Sequence, residues 1–290
     1  MKIVQSFWSV PFLQKEKKFV HERKFGGFIE KKYFYYAWCL SALSIHKFYD
    51  HLELITDDYG LSIFGKLDLP YRQISKELNV FKNYDPELWA IGKIKAYEIQ
   101  ETPFIHIDGD VFLWKRLPDF IEQASVLVQS TEGQFNVFQP LIAQVKEEFP
   151  FVPPSFNHPE EGMYNAGIIG GNDIAFFKDY CKKVNRFIDE NKESLHTVNK
   201  SLFNAVFEQY YLFKLIHEEN VNVSLYIHDI DYECYKICDF LEIRRTQFYT
   251  HMLGKFKAYQ YTCRQLESLF RSLYPHHYAL VNSLLNNAEL

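Results

Sequence analysis

Residues 104–114 read Phe104-Ile105-His106-Ile107-Asp108-Gly109-Asp110-Val111-Phe112-Leu113-Trp114, an apolar run that contains two carboxylates one residue apart. The β-branched and aliphatic side chains are typical of a buried strand, and Glu101-Thr102-Pro103 breaks the structure that precedes them. We therefore predict a strand that ends at the acidic pair. Two ionised carboxylates this close repel each other, so their burial requires a neutralising partner or water.

A divalent cation is the usual partner of such an acidic pair. Mg²⁺ and Mn²⁺ prefer hard oxygen ligands and usually keep positions open for water and substrate phosphates. Gly109 lets the backbone bend and lets a ligand approach closely. An acidic turn after a strand would contain the same three residues, so the tripeptide alone leaves both interpretations open.

The composition is that of a globular protein with many rings. The chain has 290 residues, of which 47% are hydrophobic and 24% charged, enough for one large domain or two small ones. Its aromatic fraction of 18% can fill a large core and line a binding cleft. The net charge of −5 gives no electrostatic pattern for nucleic acid, so we expect no nucleic-acid partner.

Cysteine usage and hydropathy indicate a reducing, water-filled compartment. The five cysteines are an odd number without a C-x-x-C pair, so we expect free thiols. The N-terminus starts as a strand without the apolar segment of a signal peptide. No apolar run reaches the about 18 residues of a transmembrane segment. We therefore predict a cytoplasmic protein, with peripheral membrane association left open.

Strands and helices alternate along the N-terminal part of the chain. Residues 2–8 are predicted to form a strand, residues 31–49 a helix and residues 51–60 a second strand that ends in an acidic loop. This order predicts an α/β fold with a mainly parallel sheet. Ligands gather at the carboxyl ends of such strands, so Asp57 and Asp58 are candidates for a nucleotide pocket. An Asp pair before Tyr-Gly fits a simple turn equally well.

Lys93 and Asn165 are two further candidates for ligand binding. Lys93 is on a predicted helix over residues 87–97 and either reaches a diphosphate or faces solvent. Asn165 lies in Met163-Tyr164-Asn165-Ala166-Gly167-Ile168-Ile169-Gly170-Gly171-Asn172, where small residues predict a closely approached strand. Its amide could both donate to and accept from a ligand hydroxyl.

Three helical segments are predicted in the C-terminal half, with short strands over residues 223–227 and 248–250 between them. Asp173 is expected to cap a helix that runs to about residue 190. Glu208 and Gln209 interrupt an apolar helical segment over residues 201–219, and they either lie on its exposed stripe or point into a site. Residues 259–285 are predicted to form an amphipathic helix that is broken at Pro275.

His251, Gly254 and Lys257 form the pattern H-x-x-G-x-x-K. An imidazole can complete the coordination of a metal that two carboxylates already hold. A glycine admits a phosphate, and a lysine neutralises it. One loop could thus touch both a metal ion and a diphosphate, which would connect it with Asp108 and Asp110.

Three segments occur in the order seen in glycosyltransferases of the GT-A fold: Ile107-Asp108-Gly109-Asp110, Tyr164-Asn165-Ala166-Gly167-Ile168 and His251-Met252-Leu253-Gly254-Lys255-Phe256-Lys257. The pattern resembles glycosyltransferase family 8, the glycogenin and lipopolysaccharide galactosyltransferase group, and also an uncharacterised bacterial family of such proteins. The resemblance extends over residues 1–260, with sparse matches between the motifs. It implies a GT-A-like catalytic domain over residues 1–260 and a C-terminal helical extension over residues 261–290, packed on the same domain.

The resemblance also implies a function. The protein would be a hexosyltransferase that moves a sugar from a UDP-sugar to a saccharide or other hydroxyl acceptor, for example in surface polysaccharide synthesis. Mn²⁺, or Mg²⁺, would be bound by Asp108, Asp110 and His251. The diphosphate would contact Gly254 and Lys257. Asn165 would lie near the sugar or the acceptor.

The chain departs from the family pattern in two places. Family 8 enzymes commonly have an Asp-Gln-Asp segment, and its nearest counterpart here is Phe207-Glu208-Gln209-Tyr210. The Pro-Trp that often follows the final Lys is replaced by Ala258-Tyr259. Glu208 and Gln209 are therefore catalytic candidates, while the donor sugar, the acceptor and the stereochemical outcome stay open.

Two other functions compete with sugar transfer. The strand before Asp108 and Asp110 also resembles the first motif of haloacid-dehalogenase-type phosphatases, in which the first Asp is a nucleophile. That motif normally lies on the first strand of its core, whereas a full set of strands and helices precedes it here. Asp229-Ile230-Asp231 could supply a further acidic motif, but H-x-x-G-x-x-K would be unexplained. A catalytically silent nucleotide-binding protein of the same fold is the third hypothesis.

Overall fold

The computed structural model describes residues 1–13, 24–226, 240 and 248–290. The acidic segment Asp229-Ile230-Asp231 lies outside these residues. The strands are β1 (Lys2–Ser6), β2 (Leu52–Ile55), β3 (Gln73–Ser75), β4 (Phe104–Ile107), β5 (Val111–Leu113), β6 (Val126–Thr131), β7 (Tyr164–Gly171), β8 (Val223–Leu225) and β9 (Tyr249–His251). The α-helices are α1 (Ser9–Leu13), α2 (Lys31–His46), α3 (Asp58–Phe64), α4 (Ile91–Glu98), α5 (Asp119–Glu122), α6 (Gln139–Glu148), α7 (Ile174–Glu190), α8 (Lys200–Ala205), α9 (Tyr211–Glu218), α10 (Gln260–Leu273) and α11 (Pro275–Asn286).

The chain separates into two compact units. The terminal unit comprises Lys2–Lys82, Ile107–Leu117 and Glu233–Leu290, and it contains β1, β2, β3, β5 and β9. The central unit comprises Asn83–His106 and Pro118–Tyr232, and it contains β6, β7, β8 and most of β4.

In the terminal unit the main strands run in the order β3-β2-β1 and are all parallel. The long helix α2 packs against β2 and β5, and twelve of its sixteen residues are buried. The C-terminal helices α10 and α11 pack on α2 and on each other. As predicted, the tail is broken at Pro275, which begins α11 because a first helical position needs no backbone N–H donor.

In the central unit the strand order is β4-β7-β6-β8, with β6 antiparallel to β7 and parallel to β8. The predicted close approach at β7 is confirmed. A Cβ atom on Gly170 would lie 2.2 Å from the carbonyl oxygen of Phe104, closer than any side chain allows. The glycines of β7 therefore let the neighbouring backbone come near.

The predicted acidic cap of α7 is also confirmed, because the Asp173 carboxylate accepts a hydrogen bond of 2.9 Å from the backbone N–H of Phe176. Replacing Asp173 with alanine is expected to lower the free energy of unfolding by about 1 kcal/mol, the usual value of an N-cap. Urea unfolding measures this change. Asp189→Ala, near the exposed C-terminal end of α7, should change stability by less than about 0.5 kcal/mol. Equal effects of the two substitutions would contradict the capping role.

These elements confirm the predicted α/β class, with mainly parallel strands, helices packed beside them and a helical C-terminal region. The arrangement is consistent with the GT-A-like fold that the resemblance implied. The boundary proposed at residue 260 stays a prediction. Within the described ranges, no helix combines the length and the apolar character needed to cross a membrane.

Candidate metal centre

A two-stranded antiparallel sheet brings the acidic pair and the distant histidine together. β5 pairs with β9 in a register that sets Val111 opposite His251. The backbone N–H of Met252 donates to the carbonyl oxygen of Asp110 over 3.0 Å. The sheet therefore places His251 beside the turn that precedes β5, although the two are far apart in the sequence.

Asp108, Asp110 and His251 form a cluster in the terminal unit that could hold a metal ion. Each offers one ligand atom, and these atoms all lie within 4.8 Å of one another. His251 Nε2 is 3.6 Å from Asp110 Oδ1. Asp110 and His251 are 8% and 5% exposed, whereas Asp108 is half-buried. Two carboxylate oxygens and one imidazole nitrogen fit Mn²⁺ or Mg²⁺, hard cations that usually keep other positions for water and substrate phosphates.

Lys257 makes an ion pair with the same cluster, through its Nζ and Asp110 Oδ2. Burial alone would raise the pKa of Asp110, but the charges of Lys257 and His251 outweigh it and hold that pKa below its ordinary value. Asp110 is therefore an ionised carboxylate at neutral pH. Its negative charge is paired with the ammonium group of Lys257.

The loop that carries Lys257 is a 3-10 turn from Gly254 to Ala258. Gly254 has a φ of +37°, a conformation that favours glycine, and a Cβ atom there would meet nothing within 4 Å. The backbone N–H of Ile29 donates to the carbonyl oxygen of Lys257 over 3.3 Å and ties the end of the turn down. The turn is thus fixed at Lys257, and at Gly254 it borders open space.

Hydrogen bonds and side-chain packing hold the turn between β4 and β5 in place. The backbone N–H of Val111 donates to the carbonyl oxygen of Asp108 over 3.0 Å. Ser41 Oγ donates to the carbonyl oxygen of Val111 over 2.6 Å. A Cβ atom on Gly109 would lie 2.4 Å from the ring of Trp38, so the indole packs directly on the glycine backbone. These contacts hold the backbone of the turn that carries the two carboxylates.

A hydrogen-bond chain extends this support into the core of the terminal unit. Trp38 Nε1 donates to the Tyr71 hydroxyl over 2.7 Å, and that hydroxyl donates to Gln5 Oε1 over 2.7 Å. Gln5 Nε2 then donates to Ser41 Oγ over 2.9 Å. Sequence reasoning missed this chain. One signal was present, because Trp38 and Ser41 are three residues apart on α2 and so share a helix face.

Asp57 lies in the same unit and is buried among its own backbone contacts. Its Oδ1 accepts from the backbone N–H of Gly60, and its Oδ2 accepts from both the backbone N–H and the hydroxyl of Ser9, each over 2.8 Å. These bonds cap α3 and anchor α1. The nucleotide-binding role predicted for Asp57 stays a prediction.

The central unit contains a buried ion pair between Lys93 and Glu208. Lys93 Nζ lies 2.6 Å from Glu208 Oε1 and donates to the carbonyl oxygen of Ala166 over 3.1 Å. The Tyr97 hydroxyl donates to the same carboxylate oxygen over 3.2 Å. Glu208 is fully buried and Lys93 is 8% exposed. Lys93 is therefore not the surface lysine that its amphipathic helix allowed.

Glu208 and Gln209 lie in a π-helical turn, Val206–Tyr210, between α8 and α9. The long helix predicted over residues 201–219 is thus interrupted at the two residues that were catalytic candidates. π-helical turns are rare in proteins, but those that occur are often found at functional sites. Of the two, Glu208 points into the core, while Gln209 is half-buried.

Asn165 also lies in the central unit, on β7. Its Oδ1 accepts from the backbone N–H of Gly167 over 3.0 Å, and its Nδ2 donates to Glu132 Oε2 over 3.3 Å. Both functions of the amide that a ligand could use thus have partners within the unit. A role near the sugar or the acceptor stays a prediction.

The site defined by these residues is a carboxylate and imidazole centre with an adjacent ammonium group. A family model described as "Family of unknown function (DUF6734)" matches residues 1–284. The chain belongs to this family. A comparison with the curated proteins gives no match. The resemblance to glycosyltransferase family 8 therefore stays a prediction.

Several solved structures resemble the fold at low identity. The glycosyltransferase GlyE of Streptococcus pneumoniae TIGR4 and its apo form each match with 11% identity and a TM-score of 0.47, over 99% of this chain and 63% of theirs. The chain thus spans less than two thirds of the length of those proteins. Mouse xyloside xylosyltransferase 1 in its apo form matches with 10% identity and a TM-score of 0.38, over 77% of this chain and 84% of that one. Similarities this weak carry no argument about activity.

Proposed function

We propose that the protein is a metal-dependent glycosyltransferase that moves a sugar from a nucleoside diphosphate donor, most simply a UDP-sugar, to a hydroxyl acceptor. The observation that supports it is the convergence of Asp108, Asp110 and His251, with Lys257 on the same carboxylate. Two carboxylates, an imidazole and an ammonium suit a metal-bound diphosphate, which has both a cation to hold and surplus negative charge.

In this proposal the residues in and around the metal cluster have three different roles. Asp108, Asp110 and His251 hold Mn²⁺ or Mg²⁺, which would stabilise the charge on the departing diphosphate. Lys257 neutralises a phosphate oxygen, and the open space beside Gly254 lets the phosphate approach the backbone. Trp38 and Ser41 keep the acidic turn in one conformation, so that little reorganisation is needed when the donor binds.

The roles of the central-unit candidates are proposals of the same kind. Asn165 and Gln209 keep the role that the resemblance implied, contact with the donor sugar or the acceptor. Glu208 is proposed to act with Lys93 as a buried pair that holds this region together. Asp57 is proposed to shape the nucleotide pocket through the backbone it anchors.

A phosphatase with Asp108 as the nucleophile is not favoured. Three parallel strands belong to the terminal unit before Asp108 is reached, and His251 and Lys257 gather at the acidic pair without a task in that reaction. Hydrolysis of a small phosphate ester that disappears in Asp108→Asn would restore this alternative.

Metal removal tests the proposal directly. UDP titrated into the wild-type protein is expected to bind at least about tenfold more tightly with Mn²⁺ than with EDTA, a difference of about 1.4 kcal/mol. Isothermal titration calorimetry measures both affinities. Adenosine, which has no phosphate, is the control ligand and should show no dependence on Mn²⁺. Equal affinity for UDP in the two buffers would refute metal-dependent donor binding.

Turnover separates an enzyme from a silent binding protein. An active glycosyltransferase is expected to release UDP from at least one UDP-sugar. The release should be slow when water accepts the sugar and faster when a hydroxyl acceptor does. The release of UDP is followed across a panel of donors. Metal-dependent UDP binding without release from any donor would leave the binding site correct and the assigned activity wrong.

A further inference from the structure

The Lys257–Asp110 ion pair has a consequence for the ligand that this site accepts. Lys257 Nζ contacts Asp110 Oδ2, an oxygen of a proposed metal ligand, while Asp110 Oδ1 faces His251 Nε2. Both oxygens of this carboxylate therefore have a basic side chain beside them. A divalent cation that uses Asp110 must come close to the ammonium group.

Like charges at such short range repel strongly in a partly buried site, because little water lies between them. Asp110 is buried, and only 19% of the Lys257 side chain is exposed. Binding of a bare cation would therefore require Lys257 to leave its only charged partner among the described residues. An anion that arrives with the cation removes this obstacle, since it gives the ammonium a second place to pair.

We infer that Lys257 is exchanged between Asp110 and a diphosphate, so that the site binds a metal–diphosphate complex well and a bare divalent cation poorly. The inference rests on the proposed function and concerns the ligand of the same centre. The 3-10 turn is compatible with the exchange. Its backbone is held near Lys257, and the open space beside Gly254, at the other end of the turn, gives a phosphate room to approach. Only the side chain of Lys257 has to move.

The exchange makes the two ligands cooperative. Mn²⁺ should raise the affinity for UDP, and by thermodynamic linkage UDP should raise the affinity for Mn²⁺ by the same factor. Part of this coupling would come from Lys257 rather than from direct metal–phosphate contact. Removing the ammonium should therefore strengthen binding of the bare cation while it weakens binding of the diphosphate.

Calorimetry with Mn²⁺ alone, UDP alone and Mn²⁺ in saturating UDP tests this inference. In Lys257→Met, Mn²⁺ alone is expected to bind about tenfold more tightly than in the wild type, and the gain in Mn²⁺ affinity on adding UDP should shrink by about tenfold or more. Lys257→Arg keeps the charge, so its affinity for Mn²⁺ alone should stay as low as in the wild type. Melting temperatures of both variants confirm that they are folded.

Lys255→Met is the matched control, because Lys255 lies in the same turn, is exposed and carries the same charge. It should leave the affinity for Mn²⁺ alone unchanged. If Lys257→Met binds Mn²⁺ alone no more tightly than the wild type does, the exchange is wrong while metal-dependent UDP binding by the wild type still stands. If the wild type binds neither Mn²⁺ nor UDP, the proposed function itself fails.

Discussion

Replacing Lys93 with methionine is expected to lower the free energy of unfolding by about 3–5 kcal/mol, the usual cost of removing one partner from a buried ion pair. The substitution leaves the Glu208 carboxylate fully buried, with the Tyr97 hydroxyl as its remaining hydrogen-bond donor among the described contacts. It also removes the donor to the carbonyl oxygen of Ala166 on β7. Urea and thermal unfolding measure the loss.

Lys95→Met is the matched control, because Lys95 lies on the same helix and pairs with Glu98 over 2.8 Å at a partly exposed site. Such pairs contribute less than about 1 kcal/mol. The double variant Lys93→Met, Glu208→Gln should be more stable than Lys93→Met alone, since the amide removes the uncompensated charge but still accepts from Tyr97. Normal stability of Lys93→Met together with loss of UDP binding would instead assign Lys93 to the donor, one of the two interpretations that the sequence left open.

The sequence was sufficient for the strand before the acidic pair. An apolar run with a Pro before it and carboxylates after it has few alternatives to a buried strand, and β4 ends at Ile107 as expected. The glycines of β7 and the cap at Asp173 could be predicted for the same reason, because each is a local requirement of the backbone. Each of these features depends on only a few consecutive residues.

The remaining features depend on contacts that consecutive residues do not encode. The π-helical turn at Glu208 occupies a segment whose apolar residues suggested one continuous helix, and the buried partner Lys93 lies 115 positions earlier. The hydrogen-bond chain from Tyr71 through Gln5 to Ser41 likewise joins three separate segments, the connection before β3, strand β1 and helix α2. From the sequence, His251 could be connected with the acidic pair through ligand chemistry and the order of the motifs, whereas the pairing of β5 with β9 supplies the structural reason.

Asp110→Asn is expected to remove the Mn²⁺ dependence of UDP binding. Asparagine keeps the size of the side chain but loses the negative charge, and one of its two terminal atoms becomes an N–H donor that cannot ligate a cation. Loss of an outer-shell partner already costs about 10–100-fold in metal affinity, so loss of a ligand should cost more than about 100-fold. Calorimetry of Mn²⁺ binding in saturating UDP measures the change.

The control is Asp50→Asn, which removes the same charge in the same unit from an exposed carboxylate. It should leave Mn²⁺ binding unchanged, whereas wild-type affinity in Asp110→Asn would exclude Asp110 as a ligand. Asp110→Asn also takes away the charged partner of Lys257, so its affinity for UDP in EDTA should equal or exceed that of the wild type. A variant that loses the metal yet keeps or strengthens metal-free UDP binding would show that Asp110 competes with the diphosphate for the ammonium of Lys257, because general damage to the site would weaken both.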